Sequence, residues 1–319
     1  MIEARGLVKR FGEFTAVAEL DLAVAEGEIL ALLGHNGAGK TTTIRMLCGL
    51  LAPTSGSARI AGYDTVTQAA QVRGAIGLLT ELPGLYNRMR AADYLDFFGA
   101  VQGMDPATRR ARISTLLTQF DLGYATARRL GDYSKGMRQK VALIRTLLHD
   151  PPVIFLDEPT SAMDPQSAKA VRDAIHELRG SRRTIVLCSH NLAEAEGLAD
   201  RIVIIKRGRV LAAGTAPDLK RALLGPPLYD LHLTGPLAPH RARFDFGPDG
   251  DFAVIEEGAD WLRYRTTDPA VINPVLLARL SAAGAGVLTL AEVPRSLETV
   301  YLTLMADAER EKPGERTAD

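Results

Sequence analysis

The sequence contains only two cysteines, no long uninterrupted hydrophobic run and no net charge. Cys48 and Cys188 are too few for a disulfide framework or a cysteine-based metal site, which is typical of a protein in a reducing compartment. The longest apolar candidate, residues 282–293, is short and interrupted by glycine, whereas a membrane-spanning helix needs about 18 apolar residues. Any role at a membrane would therefore be exercised through a partner.

The charge balance also argues against a nucleic-acid partner. Lysine plus arginine and aspartate plus glutamate both number 38, so the chain as a whole lacks the basic excess that attracts phosphate backbones. A hydrophobic fraction of 46% and a charged fraction of 24% are ordinary for a globular protein. The length of 319 residues favours two folded units of unequal size.

Apolar runs of strand length alternate with helix-length amphipathic segments in the first part of the chain, which predicts an α/β domain with parallel strands. Continuous apolar runs at 29–33, 153–156 and 184–188 are typical of strands buried on both faces. Proline and glycine between 223 and 240 indicate a boundary region. We predict a first domain at 1–218 with a helical insertion at about 87–150, a small α+β domain at 219–305, and a disordered tail at 306–319.

A glycine-rich motif follows the first of these strands and precedes a predicted helix. Its glycines allow a tight turn that points backbone N–H groups at phosphate oxygens, and the helix N-terminus adds positive potential. The lysine should reach the β and γ phosphates of a nucleotide, and the threonine hydroxyl should bind Mg²⁺. The motif is Gly34, His35, Asn36, Gly37, Ala38, Gly39, Lys40 and Thr41, and we include Thr42 in the predicted nucleotide site.

Two adjacent carboxylates end the apolar strand at 153–156. Side chains alternate along a strand, so neighbouring acids cannot do the same job. Asp157 is suited to hold Mg²⁺, and Glu158 is suited to accept a proton from the attacking water.

Two further features each have a structural and a functional interpretation. Ser134 and Gly136 open a predicted helix, where they could form a simple helix cap or present donors to an anion. His190 follows the strand at 184–188, where it could be a structural side chain or part of an active site.

In this order and spacing, these residues resemble the nucleotide-binding subunit of an ABC transporter, and the resemblance covers roughly residues 2–220. It implies a P-loop NTPase fold of ABC type, in which Ser134 and Gly136 contact the γ-phosphate held by a partner subunit. It also implies that His190 is the switch histidine, that residues 161–164, ending at Asp164, connect the two sites, and that Phe11 stacks on adenine.

Two sites depart from the family pattern, the position of Glu81 and the signature motif. Glu81 stands where a glutamine is usual; we expect it to retain an oxygen for Mg²⁺ but to alter coupling to the membrane subunit. Lys135 and Met137 replace a glycine and a glutamine of the signature motif, which adds a positive charge near an anion site. With the segment at 83–86 and the sequence at 295–302, these departures resemble exporter ATPases whose membrane subunits are separate chains.

The resemblance implies an ATPase that uses ATP and Mg²⁺ to drive export through separate membrane permease chains. Its partners would be a second copy or a related ATPase subunit, with no nucleic acid, and it would lie on the cytoplasmic face of the membrane. The alternative is an ABC-type ATPase of translation or DNA maintenance. However, the chain lacks the long insertion or second cassette that these relatives carry. A nucleotide switch with negligible turnover and a P-loop kinase are further alternatives, against which Glu158, His190 and the signature motif argue.

Overall fold

The computed structural model describes residues 1–82, 84–161, 163–179, 182–245 and 251–310. The chain divides into two compact units, Met1–Ala216 and Pro217–Asp319. The sequence analysis placed this boundary between residues 218 and 219. Over the described ranges, no helix is both long and apolar enough to cross a membrane.

The first unit contains a six-stranded sheet and a four-stranded sheet. Its strands are β1 (Ile2–Phe11), β2 (Phe14–Val24), β3 (Ile29–Leu33), β4 (Ser55–Ile60), β5 (Tyr63–Asp64), β6 (Ile76–Leu79), β7 (Val153–Asp157), β8 (Thr184–Ser189), β9 (Arg201–Lys206) and β10 (Arg209–Gly214). Its helices are α1 (Lys40–Leu47), α2 (Ala69–Ala75), α3 (Ala91–Val101), α4 (Pro106–Gln119), α5 (Lys135–Leu147), α6 (Pro165–Leu178) and α7 (Leu192–Leu198).

The larger sheet has the order β10-β9-β3-β8-β7-β6. All of its pairs are parallel except the hairpin of β9 and β10 at one edge. The three predicted central strands lie here as β3, β7 and β8, and each is buried along its whole length. The predicted α/β fold with a parallel sheet is therefore confirmed for this unit.

Alternation along β7 explains why its sequence is continuously apolar. Ile154 and Leu156 pack into a core formed with the helices of the insertion, α3, α4 and α5. Val153 and Phe155 point to the opposite side and pack into a core shared with the four-stranded sheet and α1. Because both faces of the central sheet are covered, neither face needs polar side chains.

The four-stranded sheet, with the order β2-β1-β4-β5, is antiparallel and was not predicted from the sequence. It covers one face of the central sheet through buried residues of β1 and β2, including Leu7 and Val17. Helices α3, α4 and α5 lie within the range 87–150 of the predicted helical insertion.

Aspartate followed by proline begins three of the helices in the described ranges. Asp105, Asp164 and Asp268 each accept a backbone N–H of the first turn of α4, α6 and α9 (Pro269–Ala282). The following proline occupies a position whose N–H would have no partner inside the helix. These starts are therefore determined by the local sequence.

The second unit is a small α+β fold. Its further elements are α8 (Ala216–Leu224), β11 (Leu228–Leu233), β12 (Ala253–Glu257), β13 (Trp261–Arg265), β14 (Val287–Glu292) and α10 (Leu297–Arg310). The antiparallel sheet has the order β12-β13-β11-β14, and α9 packs on it through Ile272, Leu276 and Leu280. Helix α10 runs five residues into the tail that we expected to be disordered from residue 306, because its helical sequence continues past that point; residues 311–319 lie outside the described ranges.

Candidate functional site

The candidate site lies at the carboxyl edge of the central sheet, where four parallel strands end together. Leu33 of β3 pairs with Ser189 of β8, and Cys188 pairs with Asp157 of β7. At the next position outward, β7 pairs with β6. Residues that directly follow these strands are consequently neighbours in space, although the chain separates them widely.

The glycine-rich loop follows β3 and leads into α1. Gly39 has a φ of 106°, and a Cβ placed on it would lie 2.6 Å from the carbonyl oxygen of Ala16. Glycine is therefore required at this position. Since it has no side chain to cap α1, the first N–H groups of the helix remain suited to an external anion.

The Lys40 side chain is buried and bends back along the loop. Its Nζ donates to the carbonyl oxygen of Gly34 at 2.5 Å and lies 3.7 Å from Oε1 of Glu158. A buried ammonium is stable only with such partners. This arrangement holds one positive charge beside the loop, at the position where a phosphate would be received.

Thr41 and Asp157 form a second polar pair. The Thr41 hydroxyl donates to Oδ2 of Asp157 at 3.1 Å. Burial raises the pKa of Asp157, and the neighbouring carboxylates of Glu158 and Glu81 raise it further, against the opposing effects of Thr41 and Lys40. A cation placed here would relieve this repulsion.

Glu158 lines the same cavity as Asp157 but has different partners, and its backbone leaves the strand conformation. Its φ of 51° lies in the left-handed region that is unfavourable for a side chain larger than glycine. Its N–H donates to the carbonyl oxygen of Cys188 at 2.9 Å, which helps to hold this conformation. One carboxylate therefore faces Thr41, and the adjacent one faces Lys40 and His190.

The side chains of Glu158 and His190 are joined directly. Nδ1 of His190 lies 2.7 Å from Oε2 of Glu158. An ionised carboxylate only accepts, so Nδ1 carries the proton in this contact. Oε1 of Glu158 is buried without a hydrogen-bond partner among the described atoms. It faces Nζ of Lys40 and is the carboxylate oxygen that His190 does not engage.

These groups line one cavity of about 570 Å³. Among the predicted site residues, it brings together His35, Asn36, Gly37, Gly39, Lys40, Thr41, Thr42, Glu81, Asp157, Glu158 and His190. The others, Phe11, Gly34, Ala38, Ser134, Gly136 and Asp164, are not part of its lining. Phe14 and Ala16 line it without having been predicted as site residues, and Ser161, which also lines it, belongs to the predicted connecting segment at 161–164.

Phe11, the predicted adenine contact, lies outside the lining of the cavity. Phe11 ends β1 and pairs with Phe14 across a hairpin turn, and Nζ of Lys9 lies 5.2 Å from the centroid of its ring. Phe14, on the other side of that turn, is the aromatic residue that lines the cavity. The resemblance singled out Phe11, and nothing in the residue pattern pointed to Phe14.

Ser134 and Gly136 lie at the start of α5. The Ser134 hydroxyl accepts the N–H of Met137 at 3.2 Å, which makes it the N-cap. A Cβ on Gly136 would lie 2.7 Å from Oγ of Ser167. Asp164 likewise caps α6 by accepting the N–H of Ser167 at 2.9 Å. In a single chain these residues have structural roles outside the cavity.

The donor set of the cavity fits Mg²⁺ bound together with phosphate. Within the described part of the chain, no group of three histidine, cysteine or acidic side chains could hold a metal ion alone. Mg²⁺ commonly takes one or two protein ligands and completes its octahedron with water and substrate phosphates. The Thr41 hydroxyl and the Asp157 carboxylate, with the crowded negative charge around them, match that pattern.

A P-loop NTPase is the class of protein that this fold and this site define. Comparison with known proteins makes the assignment narrower. The family model described as "ABC transporter" matches residues 17–161. The daunorubicin/doxorubicin resistance ATP-binding protein DrrA of Streptomyces peucetius is 34% identical over 100% of this chain and 96% of its own length. The ABC transporter ATP-binding protein NatA of Bacillus subtilis is 41% identical over 64% of this chain and 83% of its own.

Solved structures agree with these relatives. An ATP-binding subunit of an ABC transporter aligns with a TM-score of 0.64 and 32% identity, covering 70% of this chain and 94% of that one. A dimeric bacterial ABC transporter cassette aligns with a TM-score of 0.61 and 25% identity, covering 67% and 98%. The chain belongs to the family of ABC transporter ATP-binding proteins. It is thus an ATP-binding subunit of the ABC ATPase class, and the alternatives in translation and DNA maintenance are not favoured.

Proposed function

We propose that this chain hydrolyses MgATP at the cavity beside β3, β7 and β8 and thereby drives export through a separate membrane permease. The observation that carries the proposal is the meeting of Lys40, Thr41, Asp157, Glu158 and His190 in one cavity. A bound nucleotide would place its phosphates along the loop at 34–42, with Lys40 at the β and γ phosphates.

Mg²⁺ would be held by Thr41 and Asp157, and Glu81, which lines the same cavity, would contribute an oxygen or hold one of its waters. When bound, the ion would neutralise charge on the phosphates. The protein itself supplies the remaining chemistry: Lys40 binds the phosphates, Oε1 of Glu158 takes the proton of the attacking water, and His190 orients the Glu158 carboxylate through Oε2.

Ser134 and Gly136 are proposed to act on the nucleotide of a second subunit. They lie outside the cavity of their own chain, yet they form the start of a 13-residue helix, where a hydroxyl and backbone N–H groups suit an anion. A dimer, formed with a second copy or a related ATPase subunit, would bring each helix start to the partner's γ-phosphate. Asp164 and residues 161–163 would connect the two sites, although Ala162 lies outside the described residues.

Glu81 is proposed to couple the nucleotide to the permease. It lines the nucleotide cavity and a second cavity of about 350 Å³ that also contains Leu82, Leu85 and Lys135. Because Glu81 lines both cavities, a change in its position on binding of Mg²⁺ would also change the second cavity, which borders the helical insertion. Through such contacts the chain would bind at the cytoplasmic face of the membrane.

Export is proposed because relatives at 34–41% identity are named for resistance to daunorubicin and doxorubicin. We expect a tagged full-length chain, recovered from membranes of its own host, to bring down a multi-spanning protein. Inverted vesicles containing both chains should accumulate daunorubicin when MgATP is added, and vesicles with Lys40→Ala should not. Recovery with ribosomes or DNA in place of a membrane protein would contradict the transport role.

Adenine recognition provides a second test. If Phe11 stacks on the base, Phe11→Ala should weaken ATP binding by about 10-fold, since base–aromatic stacking contributes about 1–3 kcal/mol. Titration calorimetry in a Glu158→Gln background, in which we expect ATP to bind without being hydrolysed, would measure this change, and Phe11→Tyr should preserve the affinity. Phe14→Ala is the matched comparison because Phe14 lines the cavity. If only Phe14→Ala weakened ATP binding, Phe14 and not Phe11 would be the residue that contacts adenine.

A further inference from the structure

A buried carboxylate outside the nucleotide cavity joins the two loops that carry Glu158 and His190. Glu194 lies on α7 and is 3% exposed. Its Oε1 accepts the hydroxyl of Thr160 at 2.8 Å, and its Oε2 accepts the hydroxyl of Ser189 at 2.8 Å. Thr160 follows Glu158 by two residues, and Ser189 immediately precedes His190.

The hydrogen bonds around Glu194 differ from those of an ordinary helix start. In a capping box, a glutamate at the third helical position accepts the backbone N–H of the N-cap residue. Here the N-cap is Asn191, whose N–H donates to Oγ of Ser189 at 3.0 Å. The Ser189 hydroxyl must then give its own proton to Glu194. The carboxylate is therefore directed to the end of β8 and not to its own helix.

Both ends of this connection are otherwise well fixed. Asn191 accepts the N–H of Glu194 at 3.1 Å, so α7 begins at a defined position. Pro159, between Glu158 and Thr160, has its carbonyl oxygen bound by Nε2 of Gln139 at 2.8 Å. Glu194 thus links a fixed helix to a loop that is held from its other side.

Burying the Glu194 carboxylate costs more free energy than a purely structural link between the two loops would require. Burial raises the pKa of Glu194, the Glu158 carboxylate adds to this, and the hydroxyls of Thr160 and Ser189 and the charge of Arg172 oppose it. A buried carboxylate costs free energy that a neutral side chain of similar volume would avoid. Two acceptor oxygens in a fixed plane, however, impose a separation and an orientation on the two hydroxyls that an apolar side chain could not impose.

We propose that Glu194 is a positioning residue for hydrolysis, setting the distance between the Glu158 loop and the His190 loop through Thr160 and Ser189. This inference rests on the proposed roles of Glu158 and His190. It assigns to Glu194 no contact with the nucleotide: Glu194 acts only through the contact of 2.7 Å between Nδ1 of His190 and Oε2 of Glu158.

The test uses the full-length chain with MgATP and three substitutions, Glu194→Gln, Thr160→Val and Ser189→Ala. Each should lower kcat by about 10-fold, because displacing a catalytic group by a fraction of an ångström to 1 Å can reduce the rate by up to about 100-fold. ATP affinity should stay close to that of the wild type, and each variant should remain folded at the assay temperature, although the loss of a buried hydrogen bond lowers the midpoint of thermal unfolding. Glu196→Gln, the same chemical change two residues further along α7, should leave kcat unaltered. Wild-type kcat in all three folded variants would overturn the proposal.

A double-mutant cycle separates positioning from a general effect on the fold. In a His190→Ala chain, Glu194→Gln should lower single-turnover hydrolysis by less than about twofold, because the group it positions is already absent. If the double variant lost activity by the product of the two single-variant factors, Glu194→Gln would have a general structural effect, and the proposal would be overturned. The role of Glu158 as the base and the role of Glu194 in positioning can fail separately. Normal turnover in Glu158→Gln would contradict the first. Loss of turnover in Glu158→Gln together with a wild-type kcat in Glu194→Gln would contradict only the second.

Discussion

Replacing Glu158 by glutamine is expected to lower ATP turnover by about 10²–10⁴-fold, the usual contribution of a general base. The amide has nearly the same shape as the carboxylate, and its oxygen can still accept from Nδ1 of His190. It cannot take a proton from water, however. The buried oxygen Oε1, which lacks a hydrogen-bond partner among the described atoms, is the atom whose chemistry changes.

Nucleotide binding should survive the same substitution. Lys40 lies 3.7 Å from Oε1 of Glu158 and bonds independently to the carbonyl oxygen of Gly34. Removing the negative charge of Glu158 leaves the Lys40 ammonium more available to phosphate. We therefore expect Glu158→Gln to bind ATP at least as tightly as the wild type and to accumulate as an ATP-bound dimer.

Three measurements check this prediction: phosphate release, ATP affinity, and mass by light scattering with and without MgATP. Glu177→Gln makes the same chemical change at an exposed position of α6 and serves as the control. If Glu158→Gln hydrolysed ATP within about threefold of the wild-type rate, Glu158 would not be the base, because loss of a general base has a much larger effect.

The parts of the site that the sequence predicted are those in which the chemistry is local. The loop at 34–41 and the pair Asp157 and Glu158 are contiguous motifs that each follow a continuously apolar strand. Such strands are recognisable because burial on both faces removes polar residues from them. Their parallel order then brings the motifs together at one edge of the sheet.

The antiparallel sheet of the first unit, β2-β1-β4-β5, was not predicted because the alternation of buried and exposed residues along its strands is interrupted. Strands β1 and β2 pair with three shifts in register between Ala4 and Arg10, and Gly6 has a φ of 55°. Each shift breaks the period of two that identifies a strand with one buried face. In the second unit, strand β13 has Trp261, Arg263 and Arg265 on its more exposed side. Its five residues are too few to show clearly the alternation with a period of two that identifies a strand.

Contacts between distant segments could not be predicted from the sequence. Phe11 and Phe14 are equally aromatic, and only the hairpin geometry places Phe14 in the cavity lining. Glu194 resembles an ordinary residue of a helix start until the neighbouring positions of β7 and β8 bring Thr160 and Ser189 to its two oxygens. Its contacts to Thr160 and Ser189 depend on strand order and leave no sequence signal at Glu194 itself.

A composite site shared between two subunits should be demonstrable by combining two inactive chains. Lys40→Ala removes the phosphate-binding charge of the loop. Ser134→Asp places a carboxylate where the partner's γ-phosphate is expected, while aspartate preserves the N-cap of α5. Each variant alone should lose turnover by about 10²-fold or more, since one electrostatic contact at a reacting centre contributes about that much. Ser134→Asn, which caps equally well without the charge, should retain far more activity.

Mixed dimers then distinguish a shared site from a site within one chain. Two affinity tags allow isolation of dimers in which Lys40→Ala and Ser134→Asp lie on opposite chains, or in which both lie on one chain opposite a wild-type partner. If each site uses the loop of one subunit and the α5 start of the other, the first arrangement contains one intact site and the second contains none.

The expected turnover is therefore about half of wild type with the substitutions on opposite chains, and close to zero with both on one chain. A site built within a single chain gives the reverse result, because only the second arrangement would then include an undamaged subunit. In the single chain, Ser134 and Gly136 lie outside the cavity that holds Lys40, Asp157 and Glu158. Activity in the first arrangement would mean that the cavity is one half of the catalytic site, and that ATP hydrolysis requires the closure of two subunits.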